Sequence, residues 1–533
     1  MKLAPLAALA AALAVPAAAA PPRPRLIVAV SMDQFSGDLF REYRPYFTAG
    51  LKRLSSGIVF ARGFQAHAAT ETCPGHSTLL TGMHPGSNGI IANNWIDAAA
   101  PRADKEVYCS EDESRPGTSS SDYVVSDVHL RVPALGDRMK AADPRSLVAA
   151  VAGKDRSAVM MGGHGPDQRW YWAKDRFATM QGRPPSKVDD AVNANVAAAL
   201  AAPRPALTVP DHCRSKDVAV PIGGGKTVGA HKFDRAAGDV RGFVASPEFD
   251  GATLALAAGL VQEMELGTDD HPDLLAIGLS ATDYVGHRYG PGGVEMCLQL
   301  AAVDRDLGDF FAFLDGRGID YAVVLSADHG GLDIPERTRN AGQPDAARID
   351  PAIMPAAVGR AIAARLGLSE PAIAGDWYVA PSVPPARRAE VLALARQMLT
   401  AHPQVEAVFT ADEIARLPMP TGRAEDWTIA QRMRASFDPA RSGNLLVALK
   451  PHITPIPDPT VGYVSTHGSV WDYDRNVPIT FWWRGAPAQD RTESAMTVDI
   501  MPTLASLIGV PVTDRIDGRC LDLVPGPDSN CVR

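Results

Sequence analysis

The sequence predicts an α/β fold in which helices flank a largely parallel central sheet and inserted segments cap one end. Three observations carry this. Short apolar runs that read as buried strands alternate with longer stretches at helical period. Three of the runs, Leu26 to Val30, Leu274 to Leu279 and Tyr321 to Leu325, are each followed within a few residues by an aspartate: Asp33, Asp283 and Asp328. Parallel sheets bind ligands beyond the carboxyl ends of their strands, which is where these acids stand. Finally, 533 residues at 46% apolar and 21% charged suit a large enzyme core with insertions, not a disordered chain.

Read from the N-terminus, the first twenty residues combine Lys2, an apolar run from Leu6 to Val15 and small residues ending near Ala20. This is the pattern of a signal peptide over 1–20, with a mature chain of 21–533 that is periplasmic or secreted. No other stretch is long and apolar enough to span a bilayer, so no stable membrane anchor is expected. Further strands are expected at Ala158 to Met161, Leu445 to Leu449 and Ile479 to Trp483. Helices are expected at Ala252 to Glu265, Cys297 to Leu314 and Arg388 to Leu399. Two stretches, about 165–249 and 335–443, lack the strand–helix rhythm and read as insertions covering the active-site end of the sheet.

The six cysteines of an exported chain permit three disulfides in fifteen pairings, with Cys520–Cys531 the expected pair because it closes a short C-terminal loop. A balance of 52 basic against 61 acidic residues, net −9, argues against nucleic acid as an obligate partner. It leaves room for a small phosphate ester at a site made positive by metal ions. The run Gly223-Gly224-Gly225-Lys226-Thr227 imitates the end of a P-loop, but Val220 stands where the pattern needs glycine, and a glycine turn is the expectation.

The chemistry lies elsewhere. Thr72 opens a short helical stretch with Pro74 in its first turn, so its hydroxyl meets unpaired amides and the positive end of a helix dipole. That setting suits a nucleophile for phosphoryl groups, though by itself it suits an N-cap equally. Asp283 and His287 lie four apart, on one face if the backbone is helical. Asp328 and His329 are adjacent, followed by Gly330-Gly331, which frees the backbone to turn both side chains to one ion. His467 sits in a glycine-flanked loop. Asp33, Asp283, His287, Asp328, His329 and His467 make six oxygen and nitrogen ligands, enough for two zinc sites with open positions. That count suits two-metal phosphoryl chemistry.

The motifs Met32-Asp33-Gln34, Thr72-Cys73-Pro74-Gly75-His76, Gly89 to Asn94, Gly153-Lys154-Asp155-Arg156, Asp283 to His287, Ser326 to Gly330, Thr466-His467-Gly468 and Asp499 to Leu504 form a specific set. As a set, the chain resembles the alkaline phosphatase superfamily, and within it the exported bacterial branch with a threonine nucleophile, related to the nucleotide pyrophosphatase/phosphodiesterases. The resemblance implies an alkaline phosphatase-like three-layer sandwich forming one catalytic domain. It implies two zinc ions per subunit, one on Asp33, Asp328, His329 and the Thr72 oxygen, the other on Asp283, His287 and His467. Thr72 is implied as the nucleophile of a phosphothreonine intermediate. Asn93 is implied as a donor to a phosphoryl oxygen, and Lys154 and Arg156 as contacts to the dianionic phosphate of a monoester. The related diesterases lack that pair, so small phosphate monoesters are the expected substrates.

Competing readings are a phosphodiesterase or nucleotide pyrophosphatase of the same superfamily, and an exported metal- or phosphate-binding protein without turnover. An arylsulfatase would need cysteine or serine at Thr72 and arginine at His76. A cofactor-independent phosphoglycerate mutase would use serine and manganese in the cytoplasm.

Overall fold

The computed structural model describes residues 23–180, 186–524 and 529–531. The signal-peptide reading of residues 1–20 lies outside them. The run LIVAVSM becomes a strand, β1 (Leu26–Met32), buried along its whole length. Continuous apolar character suits a strand covered on both faces. Its alternate side chains divide accordingly: Leu26, Val28, Val30 and Met32 enter one core, Ile27 and Ala29 the other.

Nine further strands join β1 in one sheet: β2 (Ile58–Phe64), β3 (Val148–Ala152), β4 (Gln168–Ala173), β5 (Arg176–Thr179), β6 (Asp273–Leu279), β7 (Tyr321–Ser326), β8 (Asn476–Trp483), β9 (Gln489–Arg491) and β10 (Ala495–Met496). Their order is β9-β2-β8-β7-β1-β6-β3-β4-β5, with β10 also on β2. The centre, from β7 through β1, β6 and β3 to β4, is parallel, while β8 runs against both β7 and β2.

The helices that matter here are α1 (Thr72–Thr81), α2 (Asp155–Gly162), α3 (Pro247–Glu263), α4 (Ala281–Tyr289), α5 (Val294–Gly316) and α6 (Ile500–Ile508). α3 and α5 cover one face of the sheet through Leu256, Leu260, Val303 and Leu307. α1 and α6 cover the other through Leu79, Leu80, Met501 and Leu504, which completes three layers.

One strand expectation is overturned and the other two hold. Ala158 to Met161 is not a strand but the middle of α2. The run is buried on all sides, and a short apolar run of that kind has no period that separates strand from helix. The strand at that point of the chain is β3. Leu445–Leu449 is a strand, but it pairs with Val405–Thr410 in a separate two-stranded sheet. Ile479 to Trp483 joins the central sheet antiparallel. The stretch 165–249 supplies β4 and β5 to the sheet edge, and Val192, Val196 and Leu200 of its helix Lys187–Ala201 pack into the main core. The second stretch, by contrast, gathers a separate hydrophobic cluster together with residues just beyond it, from Ile349 to Ile453.

Val220–Gly223 and Lys226–Val228 form a hairpin, with Gly224 and Gly225 at φ of 56° and 73° in its turn. Such angles are open to glycine at little cost. The six cysteines pair as Cys73–Cys109, Cys213–Cys297 and Cys520–Cys531, the last as expected. Among the described residues no helix is long and apolar enough to cross a membrane.

Candidate active site

β7, β1 and β6 are neighbours, so their carboxyl ends deliver three acids to one place. Asp33 follows β1 directly, Asp328 lies two residues beyond β7, and Asp283 sits in the first turn of α4. None of the three is more than 2% exposed. The ligand atoms of Asp33, Asp328 and His329 lie within 4.8 Å of one another, and so do those of Asp283, His329 and His467. His287 Nε2 is 3.2 Å from Asp283 Oδ1, and His467 Nε2 is 3.5 Å from the same oxygen. The i, i+4 spacing on α4 thus brings Asp283 and His287 to one face, as the sequence suggests.

The chemistry of this donor set fits metal ions. Asp33 Oδ1 and His329 Nε2 are buried without a hydrogen-bond partner, and the nitrogen is 3.6 Å from that oxygen and 3.3 Å from Asp328 Oδ2. Buried, unpaired acceptors are costly unless a cation satisfies them. The three imidazoles are held alike: Nδ1 of His287, His329 and His467 bonds the carbonyls of Ser465, Gly330 and Thr70 at 2.9, 2.8 and 2.8 Å. A carbonyl on Nδ1 fixes the proton there and turns Nε2 inward as the ligand atom. Burial pushes the pKa of His287 down to about 4 and that of His329 to about 3, which favours the neutral imidazole that binding a metal would require.

Thr72 begins α1 as a residue only 1% exposed. Lys154 Nζ and Arg156 Nη2 each stand 3.5 Å from its Oγ1. The same ammonium bonds Asp33 Oδ2 at 2.7 Å and Asp283 Oδ2 at 2.6 Å, and so spans both acid sets. Burial alone would depress the Lys154 pKa, but Asp283 and Asp33 carry it well above the ordinary lysine value. Burial lifts the Asp33 carboxyl, with the charge of Asp328 adding to the rise. Burial also works against ionised Asp328, but His329 and His76 outweigh it and hold that carboxyl well below the usual range. Asn93 Oδ1 accepts from the Cys73 amide at 2.8 Å, which places its side chain beside the first turn of α1.

Several residues at the site have no legible role in the sequence. Gln34 ties the acid sets together: its backbone amide donates to Asp328 Oδ1 at 3.1 Å and its Nε2 to Asp283 Oδ1 at 2.9 Å. His76 Nδ1 lies 3.0 Å from Asp328 Oδ2 and 2.9 Å from the Thr72 carbonyl. Arg156 Nη1 donates to the Tyr108 hydroxyl at 3.3 Å, and Tyr108 and Tyr123 donate to the two oxygens of Asp155 at 2.8 and 2.7 Å. The Cys73–Cys109 bridge ties this tyrosine-bearing segment to the turn that carries Thr72. Gln34 and His76 fall inside motifs that the sequence brings to attention. Nothing local signals the tyrosines.

Comparison with known proteins agrees with this geometry. The family model described as type I phosphodiesterase / nucleotide pyrophosphatase matches residues 27–469. The chain is 52% identical over 518 residues to alkaline phosphatase PhoK of Sphingomonas sp, covering 95% of this chain and 92% of that protein. It is 47% identical over 520 residues to alkaline phosphatase PhoD of Zymomonas mobilis, covering 95% of this chain and 89% of the relative. The crystal structure of wild-type alkaline phosphatase PafA superposes with a TM-score of 0.80 at 25% identity, over 95% of this chain and 99% of PafA.

Proposed function

The chain belongs to the type I phosphodiesterase / nucleotide pyrophosphatase family, in the alkaline phosphatase branch of its superfamily, and on that premise we propose that it is an exported two-zinc alkaline phosphatase acting on phosphate monoesters through Thr72. That it is a hydrolase of the alkaline phosphatase type rests on its identity to PhoK and PhoD over nearly its whole length. Export is supported by the pairing of all six cysteines in disulfides, which persist in oxidising compartments.

Asp33, Asp328 and His329 would hold one zinc together with the Thr72 oxygen, and Asp283, His287 and His467 the other. When bound, the ions supply Lewis acidity: they favour ionised Thr72 and neutralise charge on the departing oxygen. Thr72 Oγ1 attacks phosphorus in line; the new P–O bond to threonine forms as the bond to the alcohol breaks, and water then cleaves the phosphothreonine. His329 and His287 stay neutral, so they orient and do not transfer protons. Arg156, held by Tyr108, presents its planar fork and Lys154 its point charge to the non-bridging oxygens. Asn93, whose Oδ1 is engaged by the Cys73 amide, keeps its Nδ2 N–H groups to donate to a phosphoryl oxygen.

The observation that carries the monoester reading is the pair of cations 3.5 Å from the Thr72 oxygen. A monoester is a dianion and uses both; a diester has one fewer charged oxygen. The test is kcat/KM for an aryl phosphate monoester against the matching methyl diester, on zinc-loaded wild type and on a Lys154→Ala/Arg156→Ala double variant. The monoester is expected to lead by a large factor that collapses in the variant. Better turnover of the diester, unchanged in the variant, would make the enzyme a phosphodiesterase.

A further inference from the structure

A cavity of about 320 Å³ adjoins the catalytic cluster, and apart from His467 its lining residues have no part in the chemistry described so far. Its inner end is made by Glu71, the residue before the nucleophile, and by Thr466, His467 and Gly468. Its outer wall comes from the segment that gathers its own core: Ile353, Met354, Trp377, Leu399, Val447 and Leu449. The volume falls in the range of roughly 300–1,000 Å³ typical of small-molecule pockets.

The polar groups are one-sided. Three carboxylates, Glu71, Asp376 and Asp474, line the cavity against one ammonium, Lys450. Asp474 is 1% exposed; its Oδ2 accepts from the Ser469 amide at 2.8 Å, while its Oδ1 is buried without a partner. Glu71 Oε2 accepts from the Asn93 amide at 2.8 Å. Trp377 is held at φ 68°, a conformation that bulky residues rarely adopt. Its carbonyl accepts from the amides of Asn444 and Leu445 at 3.1 and 3.2 Å. Strain of this kind persists where the surroundings fix a side chain in place, and such places cluster at binding sites.

We propose that this cavity receives the alcohol portion of the phosphate monoester, and that it selects leaving groups with an aryl-sized apolar body and no negative charge. The inference rests on the phosphatase reading above. His467 links the two: it is one of the residues that would hold the zinc not bound to the Thr72 oxygen, which leaves that ion to the departing oxygen, and it also lines the cavity. An alcohol departing there meets apolar walls that bury its body. An anionic alcohol meets a lining in which three acids, Glu71, Asp376 and Asp474, outnumber the one ammonium of Lys450, so the balance of charge there repels it. The wall residues come from the inserted segment, so specificity would lie in a part of the chain that carries none of the chemistry.

The test compares kcat/KM for ethyl, phenyl and 4-carboxyphenyl phosphate on the zinc-loaded wild type, Asp376→Asn and Met354→Trp. Each ratio is taken on a single preparation, so inactive protein cancels. Phenyl over 4-carboxyphenyl is expected to favour phenyl by about tenfold or more in wild type, and Asp376→Asn to cut this to about threefold. Met354→Trp, which fills the cavity, is expected to lower the phenyl-to-ethyl ratio about tenfold. Wild-type protein that hydrolyses ethyl phosphate but does not discriminate against the carboxylate overturns the pocket alone. Ratios unmoved in both variants do the same. Failure of wild type on all three esters overturns the phosphatase reading, and the inference with it.

Discussion

Replacing Lys154 with methionine isolates the charge balance of the site. The Lys154 side chain is 2% exposed and bonds Asp33 at 2.7 Å and Asp283 at 2.6 Å, carboxylates that are themselves 0% and 2% exposed. At an effective dielectric of 20, each contact is worth roughly 6 kcal/mol of Coulomb attraction, and desolvation of the three groups cancels more than half of the sum. Removing one partner of a buried pair typically costs 3–5 kcal/mol. Here two carboxylates lose their cation together, which puts the loss near ~5 kcal/mol in metal-free protein. Zinc ions on the same carboxylates would supply the missing charge, so the loss should shrink to about 1 kcal/mol in zinc-loaded protein. Urea denaturation of wild type and Lys154→Met, each with zinc and with a chelator, measures both numbers. The expected result is a midpoint lowered by roughly 1 M or more without metal and nearly restored with it. A loss of equal size in both conditions would mean that metal does not bind at Asp33 and Asp283. No loss in either would mean that the ammonium does not hold the acids together.

Thr72→Ala should lower kcat by about 10⁴-fold or more while zinc content, measured by elemental analysis, stays at the wild-type level; turnover within tenfold of wild type would remove Thr72 from the nucleophile role. Gly75→Ala would place a methyl 2.0 Å from the Asp328 carbonyl oxygen and push the first turn of α1 off that acid. A fall of about 100-fold in kcat/KM with reduced zinc content is expected, since displacements near 1 Å at reacting groups cost that much. Asp250 accepts from the Ala281 amide and Gln299, and burial raises its pKa to about 7. A raised carboxyl stabilises the fold below its ordinary pKa and loses that contribution as the pH climbs through about 7. Asp250→Asn should therefore gain on wild type as the pH rises from about 4 to about 7, by ~4 kcal/mol in all, and level off above that, with the Gln299 amide turned so that its unpartnered Oε1 accepts the new N–H. A pH-independent difference in thermal midpoint would refute this.

The parts of the site that the sequence displays are those encoded locally. An apolar run ending in an acid specifies a buried strand and what stands at its tip, which is why β1, β6 and β7 could be read with Asp33, Asp283 and Asp328 attached. The i, i+4 spacing of Asp283 and His287 needs only one helix turn. Local reading fails where two conformations bury the same residues: Ala158 to Met161 is apolar at every position and fits helix or strand until its neighbours decide. It fails again at the edge of the sheet, where the run at 168–173 pairs with β3 through contacts that no periodicity announces.

What the sequence determined by itself is the chemical inventory: a threonine at a helix start, three aspartates, three histidines, and a Lys-x-Arg pair, each set by residues a few positions apart. Tertiary structure alone decided that β7, β1 and β6 lie side by side, which turns three separate acids into one cluster. It also decided which imidazole nitrogen faces inward, because the carbonyls that fix His287 and His467 lie 178 and 397 residues away. The tyrosine clamp on Arg156 and the cavity beside Glu71 arise in the same way. Hydrogen bonds and apolar contacts are short-ranged in space and indifferent to distance along the chain, so these partners become definite only when the sheet order and the packing of the inserted segment are fixed.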